Sequence, residues 1–356
     1  MEHNSILHGD CIDVLKRFPE KAVDVIFADP PYNMQLKNPL YRPNNTKVAG
    51  VDDLWDKFES FADYDRFCAA WLRECGRVLK DTGSLWVMGS YHNIHRIGAL
   101  MLDLGFWILN DVVWHKTNPM PNFRGKRFTN ATETLLWCVK ERNRTKYTFN
   151  YKTMKRYNGG KQMPSVWRIG VCAGAERLKG EDGKKAHSTQ KPEELLKRVI
   201  LSSTKKGDIV LDPFFGTGTT GAAAKKLKRL FIGIEKDGGY ADIARRRIDG
   251  IHGFFEEADW DEEGGAKQKP VPFATLVRER VIREGETLYA KKPEGAAAVV
   301  RADGAVCYRG AAGSIHQIGR LVQHTASCNG WKFWYITRSD RLIPIDVLRN
   351  DYRKEH

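Results

Sequence analysis

The sequence has no long apolar run, no closely spaced cysteine pair and no apolar leader. No stretch of 18 or more apolar residues is present, which excludes a transmembrane helix. The first ten residues are mostly polar, so we expect no secretory signal. The seven cysteines are scattered, odd in number and free of any C-x-x-C pair, which argues against a zinc site or any other structural metal. These absences predict a reduced, cytoplasmic protein.

The sequence is rich in positive charge, and that charge is unevenly placed. Lys and Arg number 58 against 44 Asp and Glu, a formal net charge of +14. Residues 140–206 carry +12 and residues 263–356 carry +6, whereas residues 1–139 and 207–262 carry −1 and −3. Five aromatic residues between positions 147 and 167 are interleaved with the charges. Cations pair with phosphates and aromatic rings stack on bases, so the pattern favours nucleic-acid binding, with a solvated basic surface as the alternative.

Short apolar strands alternate with amphipathic helices along most of the chain. The pattern predicts strands at 23–28, 84–89, 107–114, 134–139, 208–212 and 230–235, and helices at 61–79, 93–104, 192–204, 219–227 and 240–251. Such alternation is typical of an α/β fold with a mostly parallel sheet.

The composition changes near residue 256. Residues 256–272 combine an acidic run with a Gly-Gly pair and a Lys/Pro stretch, which is typical of a linker. Residues 273–356 then predict a small α+β module, with short strands at 287–290, 297–301, 305–308 and 332–336 and a helix at 314–323. We therefore expect a first domain over 1–255, a linker over 256–272 and a C-terminal module over 273–356.

The tetrapeptide Asp29-Pro30-Pro31-Tyr32 directly follows the first predicted strand. On its own it is compatible with an ordinary Pro-Pro turn capped by an aspartate. A second motif, residues 212–221 (DPFFGTGTTG), also follows a strand and opens a helix. The presence of two such strand-end motifs makes a functional role for the tetrapeptide the stronger interpretation.

The second motif has the spacing of a nucleotide-binding turn. Gly216, Gly218 and Gly221 match G-x-G-x-x-G, and the next strand ends on Glu235, about 20 residues further on, where a carboxylate can hold a ribose. The turn is not a phosphate-binding P-loop, since no Gly-Lys-Ser/Thr follows. It predicts a Rossmann-like site, with a dinucleotide-dependent dehydrogenase as the formal alternative.

Together, these motifs resemble those of the S-adenosylmethionine-dependent amino-methyltransferases of DNA. In that family D-P-P-Y is the catalytic loop and the F-x-G-x-G turn binds S-adenosylmethionine. Here the catalytic motif comes first, as in the permuted β class, and residues 8–11 (HGDC) and 187–192 (HSTQKP) resemble two further motifs on the cofactor side. The resemblance covers about residues 5–251 and implies a Rossmann-like α/β methyltransferase sheet with S-adenosylmethionine as cofactor.

Other segments extend the likeness to the cell-cycle-regulated adenine methyltransferase family (CcrM). They are residues 89–93 (GSYHN), 123–125 (FRG) and 344–349 (PIDVLR), and the C-terminal module is similar to the adenine-methylase-associated domain of restriction systems. Members of the family methylate adenine N6 in GANTC. The resemblance implies a nucleoid-associated enzyme acting on double-stranded DNA, with a role in the cell cycle and DNA replication, and a homodimer. No restriction-nuclease motif is evident in the sequence, so we expect an enzyme without a companion nuclease.

The resemblance also assigns roles to individual residues. Asp29, Pro30, Pro31 and Tyr32 form the catalytic loop: the Asp29 carboxylate and the Pro30 carbonyl accept the two N–H bonds of the target amine, and Tyr32 stacks on the flipped base. The residues implied to bind the cofactor are Asp10, Cys11, His187, Thr189, Gln190, Lys191, Asp212, Pro213, Phe214, Gly216, Gly218, Thr219, Thr220 and Glu235.

Contacts with DNA are expected from four places: the loop after Tyr32, residues 89–93, a basic recognition region at about 115–186 within the first domain, and the C-terminal module. The candidate residues are Arg42, Asn44, Asn45, Trp55, Ser90, His92, Asn118, Asn122, Arg124, Lys126, Arg127, Ser314, His316, Asn329, Trp331 and Arg349. Arg and Asn suit the edges of guanine and adenine. Phosphate contact and a purely structural role remain alternatives for these residues.

Other reactions and functions stay open at this point. Cytosine-N4 transfer uses the same amine chemistry, whereas cytosine-C5 methylation needs a nucleophilic Pro-Cys dipeptide that is absent. The Asp before Pro-Pro-Tyr favours adenine by family analogy. A DNA-binding protein without catalysis is disfavoured by the intact Asp29 motif. An RNA or protein N-methyltransferase is disfavoured because those enzymes commonly have Asn at the position of Asp29.

Overall fold

The computed structural model describes residues 2–34, 56–122, 125–143, 146–179, 183, 186, 189–256, 260, 271–290, 295–325, 327–338 and 341–355. The chain divides into two compact units, Met1–Gly264 and Gly265–His356. Among the residues just given, no helix is both long and apolar enough to cross a membrane.

The first unit is built on a sheet that has eight strands within the described ranges, with helices on both faces. The strands are β1 (Ser5–His8), β2 (Val23–Ala28), β3 (Leu79–Gly89), β4 (Trp107–Lys116), β5 (Thr132–Val139), β6 (Val166–Ile169), β7 (Ile209–Asp212) and β8 (Leu230–Glu235). The helices are α1 (Cys11–Leu15), α2 (Phe61–Val78), α3 (Ile94–Asp103), α4 (Tyr151–Tyr157), α5 (Glu193–Ser203), α6 (Thr219–Lys226) and α7 (Gly238–Asp249), with a 3-10 turn at Gly174–Glu176.

The strand order in the sheet is β1-β8-β7-β2-β3-β5-β4-β6. The strands from β1 to β3 in that order are parallel neighbours, and Val25 of β2 lies opposite Val210 of β7. β5 runs antiparallel to both β3 and β4, and β6 is parallel to β4. The α/β methyltransferase sheet expected from the sequence is therefore confirmed, with a mixed rather than uniformly parallel second half.

The basic segment between β5 and α5 contains more regular structure than the sequence indicated, because α4 and β6 were not predicted. β6 has only four residues, among which Trp167 and Ile169 are buried between exposed neighbours. Such a short alternation is hard to recognise among flanking Lys and Arg residues. Trp114 Nε1 donates a hydrogen bond to the Ile169 carbonyl at 2.9 Å and fastens β6 to β4. The region at 115–186 therefore contributes the end of β4, β5 and β6 to the central sheet.

β2 is buried on both faces because helices cover both sides of the sheet, and it is accordingly an almost continuous apolar run. On one face, α5 and α6 pack against a stack of indole rings in which Trp86 and Trp137 lie 5.2 Å apart. On the other face, α2 inserts the fully buried Trp71. This packing makes the carboxyl end of β2, where Asp29 lies, a rigid platform.

The second unit has an antiparallel sheet of six strands in its described part, in the order β12-β11-β10-β9-β13-β14. Its elements are α8 (Phe273–Arg278), β9 (Thr287–Ala290), β10 (Ala297–Val300), β11 (Val306–Tyr308), β12 (Ala311–Gly313), α9 (Ile315–Gln323), α10 (Gly330–Phe333), β13 (Trp334–Arg338), β14 (Arg341–Pro344) and α11 (Ile345–Glu355). The strand predicted at 332–336 begins later, at Trp334, because its first residues complete α10. The fully buried Trp334 anchors the core.

The cysteines are distributed unequally by burial. Cys11, Cys68, Cys75, Cys138 and Cys172 of the first unit are buried, and all are free thiols. Cys307 and Cys328 of the second unit are half-buried and also free. The reduced state expected from the scattered spacing is compatible with this arrangement.

Candidate active site

A cavity of about 660 Å³ opens at the carboxyl ends of the neighbouring strands β1, β8, β7 and β2. It is lined by residues 9–11 after β1, Asp29 after β2, residues 212–217 after β7 and residues 235–237 after β8. Ligands of open α/β sheets bind at this edge, and the volume is within the range of about 300–1,000 Å³ usual for small-molecule sites. The D-P-P-Y loop and the glycine-rich turn therefore share one cavity.

Both carboxylate oxygens of Asp29 are engaged. Oδ2 lies 2.9 Å from Lys191 Nζ, and Oδ1 lies 2.9 Å from the Tyr32 hydroxyl oxygen. The Lys191 ammonium also lies over the Tyr32 ring, 5.1 Å from its centroid. Burial raises the pKa of Asp29, although the Lys191 ammonium opposes the shift. A carboxylate with a raised pKa is a better proton acceptor, so Asp29 is suited to accept a hydrogen bond from an amine.

Glu133, near the start of β5, joins this network and was not singled out from the sequence. Its carboxylate lies 2.7 Å from Lys116 Nζ, 3.8 Å from Lys191 Nζ and 3.0 Å from the Tyr32 hydroxyl. Burial alone would raise the pKa of Glu133, but the Lys191 and Lys116 ammonium groups lower it below its usual value. Asp29, Glu133, Lys116 and Lys191, which we call the charge quartet, thus place two carboxylates and two ammonium groups around Tyr32.

The backbone of the D-P-P-Y loop is held from two sides. The Tyr64 hydroxyl of α2 donates to the Pro31 carbonyl at 2.7 Å, and Asn93 Nδ2 donates to the Tyr64 hydroxyl at 3.1 Å. The Asp56 carboxylate accepts the backbone N–H of Asn33 at 2.7 Å. These bonds fix the loop in advance, and such preorganisation lowers the entropic cost of placing a reacting group.

The glycine-rich turn is shaped by close packing on α7 and by Glu235. Gly216 and Gly218 have φ angles of 52° and 77°, in the left-handed region that favours glycine. A Cβ at Gly218 would lie 2.9 Å from Ala244 Cβ. The Gly216 N–H donates to Glu235 Oε2 at 2.6 Å. The turn and the end of β8 are therefore joined by a charge-assisted hydrogen bond.

The ring of Phe215 occupies a pocket that requires glycine at positions 221 and 233. Phe215 stacks on Phe231, with parallel rings 6.0 Å apart. A Cβ at Gly233 would lie 2.4 Å from the Phe215 ring, and a Cβ at Gly221 would lie 2.6 Å from it. The third glycine of the spacing pattern therefore makes room for Phe215, which holds the turn against the sheet.

Glu235 at the end of β8 and Asp212 at the end of β7 differ in their surroundings. Glu235 lines the cavity, and its Oε1 accepts the Asp237 N–H at 2.8 Å; burial raises its pKa despite that bond. A carboxylate has about four lone-pair sites, so Glu235 retains capacity for hydroxyl donors. Asp212 accepts the Phe214 N–H at 2.9 Å and the Thr220 hydroxyl at 2.6 Å, and burial raises its pKa to about 7. Both bonds of Asp212 stabilise the turn itself.

Three other predicted cofactor residues lie along the same part of the cavity. Pro213 and Phe214 line it, and the Phe214 ring packs edge-on against Trp71 with centroids 5.3 Å apart. Thr219 also lines the cavity, and its hydroxyl accepts a hydrogen bond from Arg247 at 2.9 Å. Arg247 thus secures the first turn of α6 beside the glycines.

The turn after β1 lines the cavity next to the end of β8, with which β1 is paired. Asp10 caps α1, because its carboxylate accepts the Ile12 N–H at 3.0 Å, and it also lies 3.4 Å from Lys236 Nζ. Cys11 lines the cavity, and burial raises the pKa of its thiol to about 12. A thiol with that pKa remains protonated at neutral pH and is not a nucleophile.

The segment before α5 contributes three residues with different surroundings. Thr189 lines the cavity. Gln190 is buried, and its side-chain amide bonds the backbone of Glu176 at 2.9 Å and of Leu178 at 3.0 Å. Lys191 contacts the catalytic-loop residue Asp29, although the resemblance assigned it to the cofactor. His187 lies outside the described residues.

The residues predicted to contact DNA divide by position. Arg42, Asn44, Asn45, Trp55 and Arg124 lie outside the described residues. Ser90 is buried, whereas His92 is exposed. Between β4 and β5, Asn118, Lys126 and Arg127 are exposed and Asn122 is half-buried, while Asn118 Oδ1 accepts the Val171 N–H at 2.8 Å.

In the second unit, four of the five predicted residues have structural partners of their own. The Ser314 hydroxyl accepts the Gln317 N–H at 3.2 Å and forms a capping box for α9. The Gly330 N–H donates to His316 Nδ1 at 3.0 Å, and Asn329 is the exposed residue that precedes α10. Trp331 is buried, and the Arg349 guanidinium lies 4.2 Å from the centroid of its ring. These contacts explain the fold of this unit without a nucleic acid.

No group of three or more His, Cys, Asp or Glu side chains is arranged to hold a metal ion in the part of the chain that the structure describes. Lysine ammonium groups supply positive charge along the cavity.

Comparison with known proteins gives independent evidence on the family of this chain. A family model described as DNA methylase matches residues 23–246, and a model described as Restriction Enzyme Adenine Methylase Associated matches residues 257–356. The chain is 51% identical over 354 residues to the Type II methyltransferase M.HinfI of Haemophilus influenzae, covering 99% of this chain and 97% of that protein. It is 43% identical over 245 residues to the Type II methyltransferase M2.DpnII of Streptococcus pneumoniae, covering 68% and 89% of the two chains.

Solved structures share the fold of the first unit. The M1.HpyAVI–SAM complex is 29% identical with a TM-score of 0.51, covering 69% of this chain and 98% of that chain. The cytosine-N4-specific PvuII DNA methyltransferase is 22% identical with a TM-score of 0.54, covering 74% and 91%, and shows likeness of fold alone. With the family model spanning residues 23–246, which include the D-P-P-Y loop and the glycine-rich turn, and a relative matched over nearly its full length, this chain belongs to the DNA methylases.

Proposed function

We propose that this chain is a site-specific DNA methyltransferase that transfers a methyl group from S-adenosylmethionine to N6 of adenine in double-stranded DNA. The observation that carries the proposal is that Asp29 and the glycine-rich turn after β7 line the same cavity. A carboxylate that can hold an amine beside a nucleotide-binding turn is the arrangement that methyl transfer to an amine requires.

The lining of the cavity suits S-adenosylmethionine. Glu235 offers carboxylate oxygens for ribose hydroxyls, Asp10 lines the cavity beside the end of β8, and Phe58 and Phe67 provide apolar surface. When bound, the cofactor supplies a methyl group on a positively charged sulfur. M1.HpyAVI, whose structure contains this cofactor, shares the fold.

The D-P-P-Y loop supplies what an exocyclic amine needs to become a nucleophile. The lone pair of adenine N6 is delocalised into the ring. When the Asp29 carboxylate and the Pro30 carbonyl accept its two N–H bonds, the nitrogen becomes tetrahedral and its lone pair is directed away from them. Asp29 then takes the proton that N6 releases on methylation. Tyr32 stacks on the base, which offsets part of the few kcal/mol that base flipping costs.

We extend the proposal to the sequence GANTC, on the resemblance to the CcrM family together with the two family models that match the chain. The surface that favours DNA contact is the loop between β4 and β5, where Lys126 and Arg127 are exposed and Phe128 is 97% exposed. Exposed cations and an exposed ring suit phosphates and unstacked bases. Residues at about 115–186 and the C-terminal module are proposed to share this task.

We infer the biological setting from the resemblance to the CcrM family. We propose a cytoplasmic, nucleoid-associated enzyme that forms a homodimer and acts without a companion nuclease in the cell cycle and DNA replication. Sedimentation of the purified chain at several concentrations tests the dimer. A concentration-independent monomer would remove that part of the proposal and leave the reaction untouched.

The decisive experiment is methyl transfer from tritiated S-adenosylmethionine to two duplexes, one with GANTC and one with a scrambled site, followed by nucleoside analysis. We expect N6-methyladenine in the first duplex only. N4-methylcytosine would favour the cytosine chemistry that the PvuII enzyme's name records, which shares this fold. Methylation of RNA in preference to the duplex would overturn the substrate class.

A variant separates chemistry from folding. Asp29→Ala removes the carboxylate that accepts the amine hydrogen, so we expect loss of methyl transfer with cofactor binding retained. Equilibrium dialysis with S-adenosylmethionine measures the second quantity. Full activity of Asp29→Ala would contradict the proposed role of the loop.

A further inference from the structure

The Tyr32 hydroxyl lies between two carboxylates, 2.9 Å from Asp29 and 3.0 Å from Glu133. A phenol has one proton, so it donates to one acceptor at a time. The Lys191 ammonium is shared in the same way, at 2.9 Å from Asp29 and 3.8 Å from Glu133. Each of the two side chains that hold Asp29 therefore has Glu133 as its alternative partner.

This sharing determines whether Asp29 is available to a substrate. Its Oδ1 already accepts a hydrogen bond from Tyr32 and its Oδ2 faces Lys191, so an incoming amine has to share these oxygens with the two partners. Glu133 is placed to accept the Tyr32 hydrogen bond and to attract Lys191 at the moment when Asp29 must turn to the amine. Lys116, at 2.7 Å, holds the Glu133 carboxylate in place and balances its charge.

We propose that Glu133 is a positioning residue that draws the Tyr32 hydroxyl and the Lys191 ammonium away from Asp29, leaving Asp29 Oδ1 to accept a hydrogen of the target amine. This inference rests on the proposed function, because it assigns a role within that reaction. Glu133 acts through Tyr32 and Lys191 and adds no bond-forming step of its own. Its placement by β5, beside the end of β4 that supplies Lys116, makes the arrangement rigid.

The electrostatics around Asp29 give the inference a distinctive signature. Asp29 faces Lys191 from the segment before α5, Glu133 from β5 and Asp212 from β7, with Tyr32 beside it. Lys116 from β4 faces Glu133. Glutamine at position 133 removes one negative charge from the charge quartet while both ammonium groups stay. The pKa of Asp29 then falls, because Glu133 is among the groups that raise it.

The test compares Glu133→Gln with the wild-type chain in methyl transfer to the GANTC duplex across pH. We expect kcat to fall about 10- to 100-fold, the loss usual when a group that orients a reacting side chain is removed, with KM for DNA and cofactor little changed. We also expect the acid limb of the kcat profile to move to lower pH. Unchanged kcat, or reduced kcat with an unmoved limb, would overturn the inference.

A matched control comes from another nearly buried glutamate. Glu193 lies 2.7 Å from Lys226 and 3.5 Å from Arg247, outside the cavity lining. Glu193→Gln removes a comparable charge, so we expect its pH profile to match the wild type. If Glu193→Gln moved the acid limb as far as Glu133→Gln does, a general effect of charge would replace the proposed role.

A double variant separates positioning from stability, because Glu133→Gln alone leaves Lys116 without its carboxylate. In Glu133→Gln/Lys116→Met both charges are removed together, and we expect thermal stability to recover while kcat stays low. Recovery of kcat in the double variant would show that the single variant failed through an unpaired ammonium group, and would overturn the inference. Absence of adenine methylation by the wild-type chain would instead refute the proposed function.

Discussion

Lys191 Nζ lies 2.9 Å from Asp29 Oδ2, although the two residues are separated by most of the first unit in sequence. Asp29 ends up at the edge of the sheet because β2 stops there, and Lys191 reaches it from the segment before α5. Burial lowers the pKa of Lys191, but Asp29 and Glu133 raise it by more. A lysine held in its charged form therefore faces the carboxylate that we propose accepts the target amine.

Replacing this lysine should have the opposite pH signature to replacing Glu133. In Lys191→Met, Asp29 and Glu133 face each other with less positive charge between them, so the pKa of Asp29 rises further. We expect kcat near neutral pH to fall about 10²-fold and the acid limb to move to higher pH. Profiles from about pH 5.5 to about 9 would show this, since the rate follows the ionised fraction of the acceptor.

A surface lysine provides the comparison for Lys191→Met. Lys80 pairs with Asp24 at 2.7 Å and does not line the cavity. Lys80→Met should leave the pH profile unchanged. If the acid limb of the kcat profile moved to lower pH in Lys191→Met, this would contradict the electrostatic assignment of the charge quartet.

The glycine-rich turn should make stability depend on pH through Asp212. Burial raises its folded pKa from 3.8 to about 7, so ionisation of Asp212 is harder in the folded chain than in the unfolded one. Its stabilising contribution is complete below the unfolded value and is lost as the pH rises through about 7. We expect the free energy of unfolding of the wild type to decline by a few kcal/mol more than that of Asp212→Asn as the pH rises over this window. Denaturant titrations at each pH measure it, and parallel curves would contradict the prediction.

A single methyl group should disturb the cofactor side of the cavity. In Gly233→Ala the new Cβ would lie 2.4 Å from the Phe215 ring, which must then move together with the turn it anchors. We expect a loss of about 1–3 kcal/mol in stability and weaker binding of S-adenosylmethionine. Gly253→Ala is the control, since nothing lies within 4 Å of a Cβ there. Equal cofactor affinity in the two variants would show that the ring pocket does not shape the turn.

The second unit offers a test of local stability. Ser314→Ala removes the hydroxyl of the capping box that begins α9. We expect a loss of about 1 kcal/mol, typical of an N-cap serine, detectable as a lower melting temperature of the second unit. An unchanged melting temperature together with weakened DNA binding would show that Ser314 serves as a DNA contact instead.

The sequence could predict the cavity because its two motifs follow directly on apolar strands. Asp29 and Gly216 each lie just past a strand end, and the carboxyl ends of parallel strands meet at one edge of a sheet. The pairing of β2 with β7 follows from alternation of strands and helices. A local pattern could not predict that β5 runs antiparallel to its neighbours, because strand pairing depends on packing across the whole sheet.

Strand pairing, which a local pattern does not reveal, also explains why the sequence did not single out Glu133 and Lys116. The sequence predicted strands at 107–114 and 134–139, whereas β4 ends at Lys116 and β5 begins at Thr132. A charged residue at the end of an apolar run normally indicates the start of a loop. Here the Glu133 and Lys116 side chains remain nearly buried because each is the other's counter-ion, a relationship visible only once the two strands are paired.

The unequal burial of the cysteines gives the molecule a built-in means of site-selective labelling. The five thiols of the first unit are buried, and burial raises the pKa of Cys11 and of Cys68 to about 12, so an alkylating reagent meets few thiolates there. Cys307 and Cys328 are half-buried in the second unit. A maleimide dye or nitroxide would therefore attach to the second unit first, and its signal could report DNA engagement by that unit without any engineered cysteine.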